Sequence, residues 1–342
     1  MLNLENSVIL HEASKSKHKA HIVLQVLIFI AIFLISSIVS GLLVGVPLGF
    51  AVVKGIDPAL FVSGDMLSIM EAVNQTMRNL PEWIVVLNLF TTAITTGCAF
   101  IYCRAIEGRS FASMGLGKKG VFKKYGRGYL VGIVMIAAAV GLSALFGGTR
   151  FTGFNSSVSW LYIALFFVGF LIQGMSEEVM MRGYFMVSCA NKVSVALAVG
   201  ISSIAFSALH LANKGITPLA FVNLALFGAF AAVYMLRTDD LWGVCALHAS
   251  WNFFQGHFFG ISVSGGAVGS SVFGTAFNQG KELISGGSFG IEGGVCTTIV
   301  LLAAIALVLF LPQKPRPALP QEELDGGGEH NPKEAMPVYI QK

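Results

Sequence analysis

Two adjacent carboxylates and a guanidinium, Glu177-Glu178-Val-Met-Met-Arg182, sit inside a run of apolar residues long enough to lie in a membrane. Each ionised group at the centre of a bilayer costs about 2.5–3.5 kcal/mol on insertion scales, so three together point beyond packing. Read as a helix, the segment places Glu178 and Arg182 one turn apart on one face, where they pair. Glu177 is turned about 100° away, toward the face of Gln173, Met181 and Tyr184. The pairing separates two jobs. Glu178 is held ionised and structural by Arg182, while Glu177 stays free to take a proton, as the activation of water requires.

Two further apolar segments carry histidines. Phe206-Ser-Ala-Leu-His210 ends one of them, with ring and imidazole on one helical face. His248-Ala-Ser-Trp-Asn252 repeats the same spacing in another, and an amide beside a donor imidazole is what an oxyanion hole needs. The turn at Asn191-Lys192 lies between Glu177 and His210, about 25 Å along a helix from each, which sets both at a similar depth. His248 is only about 12 Å from the turn at Thr238-Asp239-Asp240, so helices of equal depth would set it apart from Glu177. A lone intramembrane histidine is more often a satisfied core residue, and a lone Glu–Arg pair a structural ion pair or part of an ion path. It is the conjunction of all six polar residues with Phe206 that points to chemistry.

These residues need helices to hold them. The 342 residues are 55% hydrophobic and 12% charged, with a mean hydropathy of +0.74, far from the roughly one-quarter charged residues of soluble domains. A span takes roughly 20 apolar residues, which predicts eight helices at about 21–46, 83–103, 128–147, 158–186, 193–210, 216–236, 241–260 and 295–312. The expected class is therefore all-α, a polytopic membrane bundle. Its parts are a basic cytoplasmic tail at 1–20, a transmembrane domain at 21–312 with a catalytic core at 155–260, and a disordered tail at 313–342. The first apolar run lacks a convincing cleavage site and is read as a span, not as a cleaved signal peptide.

Lys15, Lys17, Lys19 and the Arg104–Arg127 loop are basic, whereas the opposite loops hold little beyond Arg150, Lys214 and Lys281. The positive-inside rule then puts both termini in the cytoplasm. Residues 50–82 are expected to form a mixed polar loop, and the Gly- and Ser-rich 260–294 segment a flexible connector without recognisable chemistry. Cys98, Cys103, Cys189, Cys245 and Cys296 read as small core residues. His257 is expected at the membrane interface, His11, His18 and His21 in the basic tail, and Asn223 in an interhelical hydrogen bond.

The three motifs, Glu177-Glu178-x-x-x-Arg182, Phe206-x-x-x-His210 and His248-x-x-x-Asn252, resemble in order the CPBP intramembrane proteases. These are also called the CAAX-processing type II prenyl endopeptidase and bacteriocin-processing family. Arg109-Ser-Phe-Ala-Ser-Met-Gly-Leu116 and the Gly286–Gly294 stretch are similar to bacterial members. The resemblance implies a CAAX-protease-like bundle and peptide hydrolysis without a covalent intermediate. Glu177 and His210 would activate water, His248 and Asn252 would polarise the scissile carbonyl, and Glu178, Arg182 and Phe206 would support them. The family carries the metalloprotease label, so zinc on Glu177, His210 and His248 is an alternative. A metal-free glutamate mechanism is preferred, because a His248/Asn252 oxyanion site leaves too few ligands.

The expected partners are a membrane-attached peptide or protein substrate and the lipid bilayer of a bacterial cell membrane, with no nucleic acid. Two other classes compete. One is a non-catalytic scaffold, such as a bacteriocin self-immunity protein that keeps the pocket. The other is a proton or ion transporter, which the lack of an inverted repeat disfavours.

Overall fold

A computed structural model describes residues 7–78 and 80–310; residues 1–6, residue 79 and the segment from 311, including the tail expected to be disordered, lie outside the described residues. The basic tail is not wholly free. Its helix α1 (Val8–Ser14) buries Ile9 and Ala13, Ser7 Oγ donates to Asp239 Oδ1 at 2.5 Å, and Asn191 Nδ2 donates to the Ala13 carbonyl at 3.3 Å.

All eight expected spans are helical, and the all-α membrane class holds. Helix α2 (Ile22–Lys54) runs past its expected end, and α3 (Pro58–Ser63) and α4 (Met66–Arg78) replace the expected polar loop. Helices α5 (Glu82–Thr91) and α6 (Ala93–Ile101) form one bent rod that widens into a π-turn at Tyr102–Ile106. Next come α7 (Val121–Leu145) and α8 (Trp160–Glu178), which continues through a π-turn at Val179–Met186 into α9 (Val187–Ala190). Then follow α10 (Val195–Ala208), α11 (Pro218–Thr238), α12 (Trp242–Phe253) with a π-turn at Phe254–Phe258, α13 (Glu282–Ser285) and α14 (Val295–Phe310).

Among the described residues, five stretches are long and apolar enough to cross a membrane alone: Ile22–Lys54, Glu82–Ile106, Val121–Leu145, Trp160–Ala190 and Pro218–Thr238. Helix α10, with 14 residues, is about 21 Å long against a hydrocarbon core of about 30 Å. It stops short because the chain turns at Leu209 and carries His210 out of the helix.

Helix α12 is the axis of the bundle. Every residue from Gly243 to Asn252 is buried, as expected of a helix wrapped on all sides by others. It packs on α7, α8 and α11. Glycines permit the close approaches: Gly128 and Gly132 of α7 leave no room for a Cβ against α12, and a Cβ on Gly174 of α8 would lie 2.8 Å from the Ala249 backbone nitrogen. Four of the five cysteines are buried and Cys98 is half-buried, all as free thiols in the packed interior.

The Gly-rich segment is a folded cap, not a flexible connector. Its strand β2 (Phe273–Phe277) pairs antiparallel with β1 (Thr149–Phe154), from Thr149 opposite Phe277 to Phe154 opposite Phe273. Local sequence reading misses this pair because its strands are more than a hundred residues apart. At Gly290, φ is +106° and a side chain would run into the Ser262 carbonyl, so only glycine makes this turn.

Candidate active site

The depth mismatch expected for His248 is absent, because α12 begins inside the bundle. Leu241 N donates to the Gly115 carbonyl at 2.9 Å, and Leu241 Cδ2 lies 3.0 Å from where a Cβ on Gly183 would sit. The start of α12 is thus level with Gly183, about two turns deeper than Asn191. Counting away from that level, Glu177 and His248 lie six and seven residues along their helices, or about 9–11 Å. Asp240 fixes the start, accepting from Trp242 N at 3.2 Å and Gly243 N at 3.0 Å.

Glu178 is fully buried and uses one oxygen twice. Its Oε1 accepts from Arg182 Nη1 at 3.1 Å and faces His248 Nδ1 at 2.7 Å. A carboxylate only accepts, so Nδ1 carries a proton and His248 Nε2 points onward, 3.6 Å from Glu177 Oε2. Glu178 therefore does more than pair with Arg182; it also orients His248. The Arg182 guanidinium stands 4.6 Å from the centre of the Phe206 ring. Among the described residues, Arg182 Nε and Nη2 and Glu178 Oε2 find no hydrogen-bond partner.

Glu177 keeps 30% of its side chain exposed where Glu178 keeps none, so the two carboxylates divide as their spacing predicts. Gln173 Nε2 donates to Glu177 Oε1, and Asn252 Nδ2 donates to Gln173 Oε1 at 3.0 Å. Gln173 was not singled out as a site residue. Its signal was available, since it lies one turn before Glu177 on the same face.

His210 lies in a turn after α10, not on the helix as expected, with its backbone nitrogen donating to Ser207 at 3.1 Å. Its Nδ1 is 2.8 Å from the Phe206 carbonyl and donates to it, which leaves the lone pair on Nε2. The Phe206 ring is 4.9 Å from the His210 ring and 6.0 Å from that of His248. Glu177, His210, His248 and Asn252 all line one cavity of about 460 Å³. A second cavity, of about 410 Å³, meets it at Glu177, Phe206, His210, Asn88, Thr92 and Asn213.

Two residues, His257 and Glu292, differ from expectation or were missed, and a third, Asn223, behaves as expected. His257, expected at the membrane interface, faces the protein interior. It is buried, stacked on Phe166 at 3.8 Å, with Nδ1 donating to the Ser270 carbonyl at 2.7 Å. Asn223 does join helices, accepting from Thr298 Oγ1 at 2.7 Å, and it also donates to the Glu292 carbonyl at 2.7 Å. Glu292 itself, from the segment expected to carry no chemistry, lines the cavity with a buried carboxyl. Burial pushes that carboxyl above its usual range, against the Ser264 donors and His210.

Among the described residues no three His, Cys, Asp or Glu side chains are grouped to hold a metal ion, and Glu177, His210 and His248 form no such set. Gln173 contacts Glu177 Oε1 and Glu178 holds His248 Nδ1, which leaves Glu177 Oε2 and His248 Nε2 facing each other at 3.6 Å.

Residues 157–254 match the family model described as type II CAAX prenyl endopeptidase Rce1-like. No curated protein and no solved structure matches the chain. The matched segment holds Gln173 and every motif residue from Glu177 to Asn252, so over this stretch the chain is similar to the CPBP family of intramembrane proteases.

Proposed function

We propose that the protein is an endopeptidase that hydrolyses a peptide bond of a membrane-attached peptide or protein, with Glu177 as the base that activates water. One observation carries this: the half-exposed Glu177 shares a cavity with His210, His248 and Asn252, while His248 bridges from Glu178 toward Glu177. A water beside Glu177 and the Nε2 lone pair of His210 loses its proton to Glu177 as its oxygen attacks the scissile carbonyl. The second hydrogen of Asn252 Nδ2 and a proton on His248 Nε2 meet the developing oxyanion. The C–N bond then breaks, and Glu177 returns the proton to the leaving nitrogen. With both glutamates ionised, Arg182 and an imidazolium at His248 bring the cluster to zero formal charge. Such balance suits a site in low dielectric.

The mechanism is metal-free, supported by the finding that no three His, Cys, Asp or Glu side chains among the described residues are grouped to hold a metal ion. Turnover by purified protein should survive strong chelators; full loss restored by zinc would overturn this part. The basic loop before α7, packed at one end of the bundle with α1, is assigned to the cytoplasmic side of a bacterial cell membrane, and both termini with it.

The test is cleavage of a pool of lipidated and unlipidated peptides by detergent-solubilised protein. Wild type should cut members of the pool and Glu177→Ala none. A Glu177→Ala protein that retains a cellular phenotype, with no cleavage by wild type, would favour a non-catalytic scaffold that keeps the pocket.

A further inference from the structure

The cap between residues 260 and 294 contributes nothing to the steps above, yet it brings a buried carboxylate to the wall of the same cavity. Glu292 is 7% exposed, and its backbone carbonyl is anchored to α11 by Asn223. Its Oε2 accepts from the Ser264 backbone nitrogen at 2.6 Å and from the Ser264 hydroxyl at 3.0 Å. Ser264 has φ of +47°, a left-handed conformation that a non-glycine residue keeps only when its surroundings hold it. The double contact from Glu292 supplies that hold.

Ser264 in turn reaches the catalytic turn. Its carbonyl accepts from Asn213 Nδ2 at 2.9 Å, and Asn213 N donates to the His210 carbonyl at 2.9 Å. His210 has left α10, and two contacts reach back to the helix, from its backbone nitrogen to the Ser207 carbonyl and from Nδ1 to that of Phe206, while the far side of the turn is held by Asn213. An unbroken chain of hydrogen bonds thus runs from α11 through Asn223, Glu292, Ser264 and Asn213 to the peptide unit of His210.

We propose that Glu292 is a positioning residue for His210: acting through Ser264 and Asn213, it fixes the turn at 209–213 that aims His210 Nε2 into the cavity beside Glu177. The kinetic consequence rests on the peptidase function proposed above; the structural one does not. Glu292→Gln keeps an acceptor oxygen for Ser264 and should turn over close to wild type. Glu292→Ala removes it and should lower kcat by about 10²-fold with KM little changed, as expected when a reacting group is misplaced by about 1 Å.

The decisive comparison is the same substitution in a His210→Ala background. A residue that acts only through His210 adds no further loss there. A second loss of the same size would overturn the proposal.

Hydrogen exchange gives a readout that needs no turnover. In Glu292→Ala, amides at 209–213 should exchange faster while those of α8 keep their protection; in Glu292→Gln both should match wild type. Unchanged exchange at 209–213, or loss of protection throughout α8, would overturn the proposal. Absence of peptide cleavage by wild type would instead count against the peptidase function.

Discussion

Two buried arginine–glutamate pairs grip the same stretch of chain around the π-turn at Val179–Met186, and they are completed to different degrees. Arg109 donates through Nη1 to Glu107 Oε2 at 3.2 Å and Ser188 Oγ at 2.9 Å, and through Nη2 to the carbonyls of Ser113 and Gly183, both at 2.8 Å. Its Nε reaches Ser113 Oγ at 3.3 Å. Glu107 is filled as well, accepting from Gln25 Nε2 at 2.8 Å and Ser188 Oγ at 2.8 Å. Arg182 and Glu178, equally buried, have one hydrogen bond between them and leave three polar atoms without a partner.

Full satisfaction is what a buried charge needs if it is to hold a fold. The Arg109 cluster ties α2, the loop before α7 and the π-turn together, its guanidinium donating to the Gly183 and Tyr184 carbonyls of that turn. The Arg182 cluster spends its contacts on orienting His248 and leaves Glu177 open to the cavity. The three atoms left without a hydrogen-bond partner are buried and line neither cavity, so they weigh on stability.

The largest effect should come from breaking the filled cluster. Arg109→Ala strands Glu107 in the interior and should destabilise the protein by about 3–5 kcal/mol, read as a large drop in the thermal unfolding midpoint in detergent. A midpoint near that of wild type would erase the contrast.

At the open cluster the loss should fall on rate. Glu178→Gln removes the charge that orients His248 and should lower kcat by about 10²- to 10⁴-fold, within the range of general-base and tautomer-fixing groups. Asn252→Ala takes away one oxyanion donor and should cost about 10²- to 10³-fold in kcat, with little change in unfolding midpoint. A change in KM alone for Asn252→Ala would make it a binding residue instead.

Smaller effects lie away from both clusters. Gly174→Ala pushes α8 off α12 and should destabilise by about 1–3 kcal/mol, with activity falling in step because Glu177 rides on α8. Lys124→Ala removes a half-exposed partner 3.6 Å from Asp240 and should change stability by less than about 1 kcal/mol.

The open cluster was the more legible of the two in the sequence. Its members repeat at four-residue spacing inside apolar runs, so Glu178 with Arg182, Phe206 with His210, and His248 with Asn252 could be paired before any fold was known. The filled cluster was not legible in this way, because Gln25, the Glu107–Arg109 loop and Ser188 come from separate elements and meet only after packing. Glu292 was hidden for a related reason: its place depends on how glycines at 286–294 turn the chain back over the cavity. The depth of His248 failed as a prediction because residue counting assumes that every helix starts at the membrane surface. Helix α12 starts at Gly183 instead, held there by Leu241 and Gly115.

The most direct test is to measure turnover and thermal unfolding on one preparation of Glu177→Gln. An open cluster arranged for chemistry predicts turnover lowered by about 10³-fold, within the span of general acid–base catalysis, with an unfolding midpoint equal to or above that of wild type. Turnover close to wild type, or a midpoint that falls along with it, would contradict the assignment of Glu177 as the base in a site built at the expense of stability.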